Sequence, residues 1–586
     1  MNTEWSLDVY YKGYDDPAFA ADFELLKKYA GELETALETA RKQTDEQGLV
    51  TIIEAKEAYA NVLFKLAEYL ELRGSVDTTD GKTMDYRGKL RKIDASTAKI
   101  QSAIDKYIAG VKDLEACIAA QPLLTEYAFL LRNTKENAKH LFSDEMEAMI
   151  SKMNLSGGKA WSSLFDYLTS TVKVDYDGKQ ITLPAVRNLA NDPDGAVRKR
   201  AYEAELASYA KIEGPIAYAL NNIKSQVRML AQERGYESAL TMTLDQSHMK
   251  KETLDAMLGA MQEYLPVFHK YMRAKAQYLG YHNGLPWFEM LAPLGKSEKK
   301  YTLEETKQCL IDSFSVFSKD MADMMERAFD EEWIDFYPHE GKVGGAYCLE
   351  VSHAGQSRIL TNFNGSFDAV DTLAHELGHA YHGTQTCTHR ILNREYPMQV
   401  AETASTFNET HITCLAIAKA TGEEKLALLD SFLMNTTQTI CDIYSRFLFE
   451  DSVFNACEDR FLMPEDLKAI MLDAQKQAYG DGLDGNYMHP YMWACKGHYY
   501  SEQLSYYNFP YAFGAMLSMG LYSQYLKEGE AFLPKYNKFL HATSVMSVED
   551  TAAVAGIDLT SRDFWRESLK SFADMIDEFI TLQQNK

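Results

Sequence analysis

Proline and glycine are scarce: 14 Pro and 33 Gly in 586 residues leave few helix breakers, which excludes collagen-like, mucin-like and other low-complexity chains. Cysteine is scarce as well. The eight cysteines are scattered without a C-x-x-C pair, so they read as reduced core thiols rather than a disulfide framework. Basic charge is in deficit, with 60 Lys+Arg against 85 Asp+Glu and a net charge of −25, and such a field repels phosphate backbones and anionic lipid. No stretch offers the ~18 consecutive apolar residues of a membrane span, and the opening Met1-Asn2-Thr3-Glu4-Trp5 has neither the basic nor the apolar region of an export signal. The expectation is a cytoplasmic protein with no nucleic-acid and no membrane partner.

What is abundant is material for a large helical interior. Apolar residues make up 46% of the chain and aromatics 12%, and the length exceeds what one hydrophobic core usually serves. From Pro17 to about Ala119 apolar residues recur at three and four spacing, as in Tyr59-Val62-Leu63-Leu66-Leu70, which predicts a helical hairpin or bundle with a connection at Asp77–Gly81. Residues 172–183 alternate around Asp177-Gly178 and predict a β-hairpin. The breaker Asn191-Asp192-Pro193-Asp194-Gly195 suggests a division into an N-terminal helical domain, 1–190, and a second helical domain, 191–586. A glycine-rich loop at 341–347 and a β-type run at 358–363 predict a small sheet interrupting the second. The Asp481–Asn486 loop, with His489 beyond it, reads as a surface loop, with contact to a bound ligand as the alternative.

His375-Glu376-Leu377-Gly378-His379 is an H-E-x-x-H motif. At ~100° per residue Val370, Leu373, Leu377, Ala380 and Tyr381 share one arc, while Asp368, Asp371, Thr372, His375, His379 and His382 share the other. Two imidazoles at i and i+4 can converge on one tetrahedral cation, for which zinc is best suited. Glu376, rotated away from that pair, stands where a base would deprotonate a metal-activated water and return the proton to a leaving amine. A catalytic site of this kind needs a third protein ligand. The metzincin histidine is absent, since Gln385 occupies its place. Glu395, Glu402 and Glu409 are the candidates. Glu395 precedes Tyr396-Pro397 and so belongs in a loop, and Glu402 and Glu409 lie ~10.5 Å apart along one helix face, so only one can reach the metal. Spacing slightly favours Glu402. None of the cysteines has an acid-base partner that would make it a nucleophile.

His375-Glu-Leu-Gly-His-Ala-Tyr-His382 and Glu402-Thr-Ala-Ser-Thr-Phe-Asn-Glu409 resemble the thimet-oligopeptidase-like zinc metallopeptidases of family M3, and within it the oligoendopeptidase F group. Gly344-Gly345-Ala346-Tyr347 is similar to the loop before the zinc helix there, and Trp5-Ser-Leu-Asp-Val-Tyr10 to the opening segment. The resemblance implies one zinc ion per chain held by His375, His379 and Glu402, with Glu409 orienting a ligating histidine. It also implies a His and a Tyr from a C-terminal segment acting on the tetrahedral intermediate. His498 matches the first. Tyr511 is chosen over Tyr507 for the second, although this sequence carries a few extra residues between the two elements.

Several readings follow from that resemblance. Gly344 and Gly345 would let a loop backbone approach a peptide, and His382 would lie beside the site or line the channel. The strand at 359–363 would be the sheet edge to which a peptide adds. The implied fold is mainly α, a multi-helical zincin with small β-sheets and a deep channel between two helical portions. The implied activity is hydrolysis of internal amide bonds in short unfolded oligopeptides. The alternatives are a zinc carboxypeptidase or dipeptidyl carboxypeptidase of similar fold, which needs a cation for the substrate's terminal carboxylate, and a peptide-binding helical protein without catalysis.

Overall fold

The computed structural model describes residues 2–295 and 299–584. The chain is mostly helical, and it divides into two compact units that each draw on three stretches of sequence. The first comprises Met1–Leu141, Lys299–Ile412 and Tyr525–Gly556; the second comprises Phe142–Glu298, Thr413–Gln524 and Ile557–Lys586.

In the first unit the Ala- and Leu-rich opening forms α1 (Pro17–Ala40), α2 (Asp45–Val76) and α3 (Gly81–Gly110). Each helix starts where a side-chain oxygen caps a free backbone N–H: Asp16, Thr44 and Asp80 accept from Ala18, Gln47 and Lys82. The expected turn at 77–81 joins α2 to α3. Leu26, Leu33, Ile52, Leu66, Tyr69 and Ile104 fill the space between these helices, and the core continues into Val351 and Leu360 of a three-stranded sheet.

That sheet consists of β3 (Ile334–Asp335), β4 (Tyr347–Val351) and β5 (Gln356–Leu360), in the order β3–β5–β4. (The hairpin strands β1, Lys173–Tyr176, and β2, Lys179–Thr182, belong to the second unit.) β5 pairs in parallel with β3 and antiparallel with β4, so it is central. The reading of the 359–363 strand as the free edge is therefore wrong, and β4 takes that position. Two-residue β3 is too short to leave a sequence pattern, which is why the inner place of β5 was hidden. The end of α2 is tied to the loop before β4, with Val343 N donating to Ser75 O at 2.9 Å and Thr78 N to Gly341 O at 2.8 Å.

The second unit contains the expected hairpin, β1 (Lys173–Tyr176) and β2 (Lys179–Thr182). Asp177 and Gly178 both have positive φ, +47° and +76°, as a two-residue turn of matching twist requires. The 191–195 breaker leads into the helix Gly195–Tyr209, capped by Asp194. It lies inside this unit. The long helices Lys251–Tyr278 and Arg562–Gln584 pack together around Phe268, Tyr271, Phe572 and Phe579. Buried charges here come in pairs, Lys224 with Glu450 at 2.6 Å and Lys275 with Asp430 at 2.9 Å, so neither cation is left without a counter-charge.

Candidate active site

The H-E-x-x-H motif lies on the helix Phe367–Thr386, which begins where Ser366 accepts from Ala369 N. Leu373, Leu377, Ala380 and Tyr381 are buried as expected, but so are Glu376, His382 and Thr386. The segment carrying Glu402 packs across this helix, and Tyr396 and Thr543 cover His382. Gly378 makes the crossing possible: a Cβ there would lie 2.6 Å from both Ala404 O and Ser405 Cα. Asn408 secures it by donating to Ala374 O at 3.1 Å.

Glu402 sits at the junction between the short helix Met398–Ala401 and the helix Thr403–Lys419. Its Oε2 is 3.4 Å from His375 Nε2 and 3.4 Å from His379 Nε2. Among the described residues these three form the one cluster of His, Cys, Asp or Glu whose ligand atoms, all within 4.8 Å of one another, could hold a metal. The spacing passes a quantitative test, since tetrahedral bonds of about 2.0–2.1 Å to zinc put neighbouring ligand atoms about 3.3–3.4 Å apart. Both histidines keep about a fifth of their side-chain surface, 22% and 20%, so the cluster is reachable.

Glu409 is two turns further along the same helix, on the opposite side of the His375 ring, with Oε1 2.8 Å from Nδ1. One imidazole thus spans both carboxylates, as the seven-residue spacing requires. Burial alone would lower the pKa of His375, but Glu409, ahead of Glu376 and Glu402, brings it up to about 9. Burial alone would raise Glu402, yet His379, His375 and the Ser405 hydroxyl hold its carboxyl down at about 2. Glu376 is 5% exposed, and its Oε2 has no hydrogen-bond partner among the described residues. Burial raises its pKa against the pull of the two histidines.

A cavity of about 290 Å³ opens onto this cluster and is lined also by Ala346, Tyr347, Cys348, Glu350 and Tyr396. Sequence reasoning missed Glu350 and Tyr396. Gly383 was the available signal, because a Cβ there would fall 2.7 Å from Glu350 Cγ, but only the packed sheet reveals that contact. Burial pushes the Cys348 thiol far up, so it stays neutral and is no nucleophile. Gly344 and Gly345 are exposed, and the loop is held by Asn362, which donates to Val343 O and Gly345 O. Gly345 has φ +84°, a conformation glycine adopts without strain.

His382 neither lines the cavity nor meets solvent. It is wholly buried, stacks on Tyr396 with ring centres 4.1 Å apart, and lies 2.8 Å from Thr543 Oγ1 through Nε2. The Thr543 hydroxyl already donates to Leu540 O, so His382 Nε2 is the donor in that pair. Burial drives its pKa down to about 3.

His498, Tyr507 and Tyr511 cluster in the second unit. The His498 ring is 5.0 Å from that of Tyr507 and 5.7 Å from that of Tyr511. Its Nδ1 is 2.9 Å from Asn508 Oδ1, which also accepts from Arg446. An amide oxygen only accepts, so Nδ1 carries the hydrogen and Nε2 is left free. Burial, then Arg446 and Lys496, lower the His498 pKa. Tyr511 is 40% exposed.

Comparison with known proteins bears on these features. The profile of peptidase family M3 matches residues 188–571, and that of the family described as oligopeptidase F matches residues 110–173. The group B oligopeptidase PepB of Streptococcus agalactiae is 25% identical, with 96% of each chain covered. The oligopeptidase PepF of Bacillus subtilis is 26% identical, covering 88% of this chain and 78% of its own. A putative peptidase from Chlamydophila abortus superposes with a TM-score of 0.85 at 20% identity, over 99% of this chain and 98% of its own. Oligoendopeptidase-F from Enterococcus faecium superposes with a TM-score of 0.72 at 18% identity, over 97% and 99%. The first profile spans more than half of the sequence and contains the whole histidine and carboxylate cluster, so the chain belongs to peptidase family M3 and is a metalloendopeptidase that cleaves oligopeptides with a divalent metal.

Proposed function

We propose that the protein is a zinc endopeptidase that cuts internal amide bonds of short, unfolded peptides, with His375, His379 and Glu402 as the ligands of one zinc ion. The observation that carries this reading is the N,N,O cluster at tetrahedral spacing with a buried, unpartnered carboxylate oxygen beside it. When bound, the dication polarises a carbonyl and acidifies water.

The remaining chemistry belongs to the chain. Glu376 takes a proton from the attacking water and returns it to the leaving nitrogen; its raised pKa makes it a better base than an exposed carboxylate. Glu409 holds the Nδ1 side of His375, which leaves Nε2 directed at the cation. Tyr511 donates its phenolic hydrogen to the oxyanion that develops in the transition state, and His498 donates from Nε2 as the imidazolium, with Tyr507 as their neighbour. Asn508 holds the Nδ1 side of His498, so Nε2 is the atom left to take up a proton and donate, which supports its part, and the greater exposure of Tyr511 supports its choice over Tyr507. The Gly344-Gly345 loop and the edge of β4 receive the substrate backbone. Scattered unpaired cysteines favour the cytoplasm, and among the described residues no helix is long and apolar enough to cross a membrane.

The test is cleavage of internally quenched peptides of graded length, with blocked and free C-termini, before and after chelation. Cleavage of blocked short peptides that chelator abolishes and zinc restores is expected. Chelator-insensitive cleavage, or cleavage that demands a free C-terminus, overturns the reading.

A further inference from the structure

The second unit holds a cavity of about 370 Å³ that the peptidase chemistry does not use. Its polar lining includes Arg187, Glu205, Gln438, His489 and Lys496, and its apolar wall includes Trp287, Phe288 and Met290. Arg198 also borders it, but its charge is spent on Glu289 in a buried pair. Arg187 has one ionic partner, Glu205, at 3.5 Å, and Lys496 has none among the described residues. Two cations therefore face one carboxylate, a local positive excess inside a chain of net charge −25.

His489 is the decisive group. The sequence placed it at the surface, yet it is 1% exposed. Its backbone is clamped on both sides by Gln475, whose amide accepts from His489 N at 3.2 Å and donates to His489 O at 2.8 Å. Its ring lies among Trp287, Tyr202 and Tyr209, with centres 5.4, 6.1 and 6.2 Å away. Neither ring nitrogen has a hydrogen-bond partner among the described residues, and Nε2 is 3.7 Å from Glu205 Oε1, beyond hydrogen-bond reach. Buried polar groups in folded proteins are paired, so a rigidly held ring facing a cavity with open valences points to an occupant. Cys495, also in the lining, is no rival nucleophile, because burial raises its thiol.

We propose that this cavity binds a small molecule carrying a free carboxylate and an apolar side chain, such as an apolar amino acid or the C-terminal end of a short peptide. Arg187, Lys496 and His489 donate to the carboxylate, while Trp287, Phe288 and Met290 enclose the side chain. A single positive excess matches a monoanion better than a phosphate dianion, and Glu205 beside Arg187 repels the second charge. The site does not depend on the peptidase reading, which supplies only the choice of probes.

The test is calorimetric titration of the full-length, zinc-loaded Glu376→Gln protein with leucine, with Leu-Leu, with the C-terminal amide of each, and with inorganic phosphate. Binding of leucine or Leu-Leu is expected, and which of the two binds identifies the source of the carboxylate. The amides should bind about tenfold more weakly, and Arg187→Gln and His489→Gln should each cost about tenfold, through lost charge-assisted or buried hydrogen bonds. Lys496→Gln removes no buried group and serves if His489→Gln does not fold. The proposal is overturned if neither acid binds, if the amides bind as well, if phosphate binds more tightly than both, or if affinity survives Arg187→Gln and Lys496→Gln. Because the base is absent from the titrated protein, a negative result leaves the peptidase reading intact, and failure of peptide cleavage by the parent protein leaves the outcome of this titration unaffected.

Discussion

Gly378→Ala puts a methyl group where the backbone of the Glu402 segment already runs. The added carbon would sit 2.6 Å from Ala404 O and Ser405 Cα, and neither is the end of a flexible side chain. Ordinary contact needs about 3.5 Å, so the two helices must part by roughly 1 Å. Glu402 Oε2, now 3.4 Å from each Nε2, then moves out of tetrahedral reach. Overpacking of this kind costs about 1–3 kcal/mol, and alanine recovers about 1 kcal/mol through helix propensity. The net of about 0–2 kcal/mol is small for the stability of the chain but, taken up at the ligand cluster, amounts to as much as about 30-fold in zinc affinity. Competition with a chromophoric chelator measures the affinity, and kcat/KM on a quenched peptide measures the consequence. A variant that holds zinc as tightly as the parent and keeps its kcat/KM would refute the claim that this glycine sets the approach of the third ligand.

Glu376→Gln should lower kcat by about 10²–10⁴-fold while zinc stoichiometry stays at one, as metal analysis beside single-turnover kinetics would reveal. Glu409→Gln should weaken zinc binding by about 10–100-fold, because Nδ1 of His375 loses the carboxylate that orients it; an unchanged affinity would remove Glu409 from that role. Glu68 and Glu350 are both pushed up to about 7, chiefly by burial, and for Glu350 next by the Glu68 charge. A carboxyl raised on folding contributes stability below its ordinary pKa of about 4.3 and loses it as pH rises through about 7. Chelated protein should therefore unfold at a lower temperature at about pH 8 than at about pH 5, and Glu350→Gln should narrow that gap; identical pH dependence in parent and variant would contradict the assignment.

Much of the site was legible because its chemistry is local. The i, i+4 histidines, the intervening base and the seven-residue carboxylate spacing all follow from helix geometry, and each residue stands where that geometry requires. Helical periodicity also located α1–α3, and Asp177-Gly178 located the β1–β2 hairpin. The errors share another origin. The central place of β5 depends on pairing with a two-residue strand, and the burial of His382 and His489 depends on Tyr396, Thr543, Trp287 and Tyr202, all remote in sequence. Glu350 and Tyr396 belong to no motif and enter the site only because the sheet packs against the helix at Gly383.

The amino-acid sequence by itself determined which donors exist and which of them share a helix face, because rise and rotation per residue are properties of the local backbone. Tertiary structure alone decided that Glu402 meets the histidine pair, that Glu350 joins the cavity, and that His489 is sealed among aromatic rings. Those outcomes rest on contacts between segments far apart in the chain, where side-chain volume at positions such as Gly378 and Gly383, and not periodicity, sets the distance.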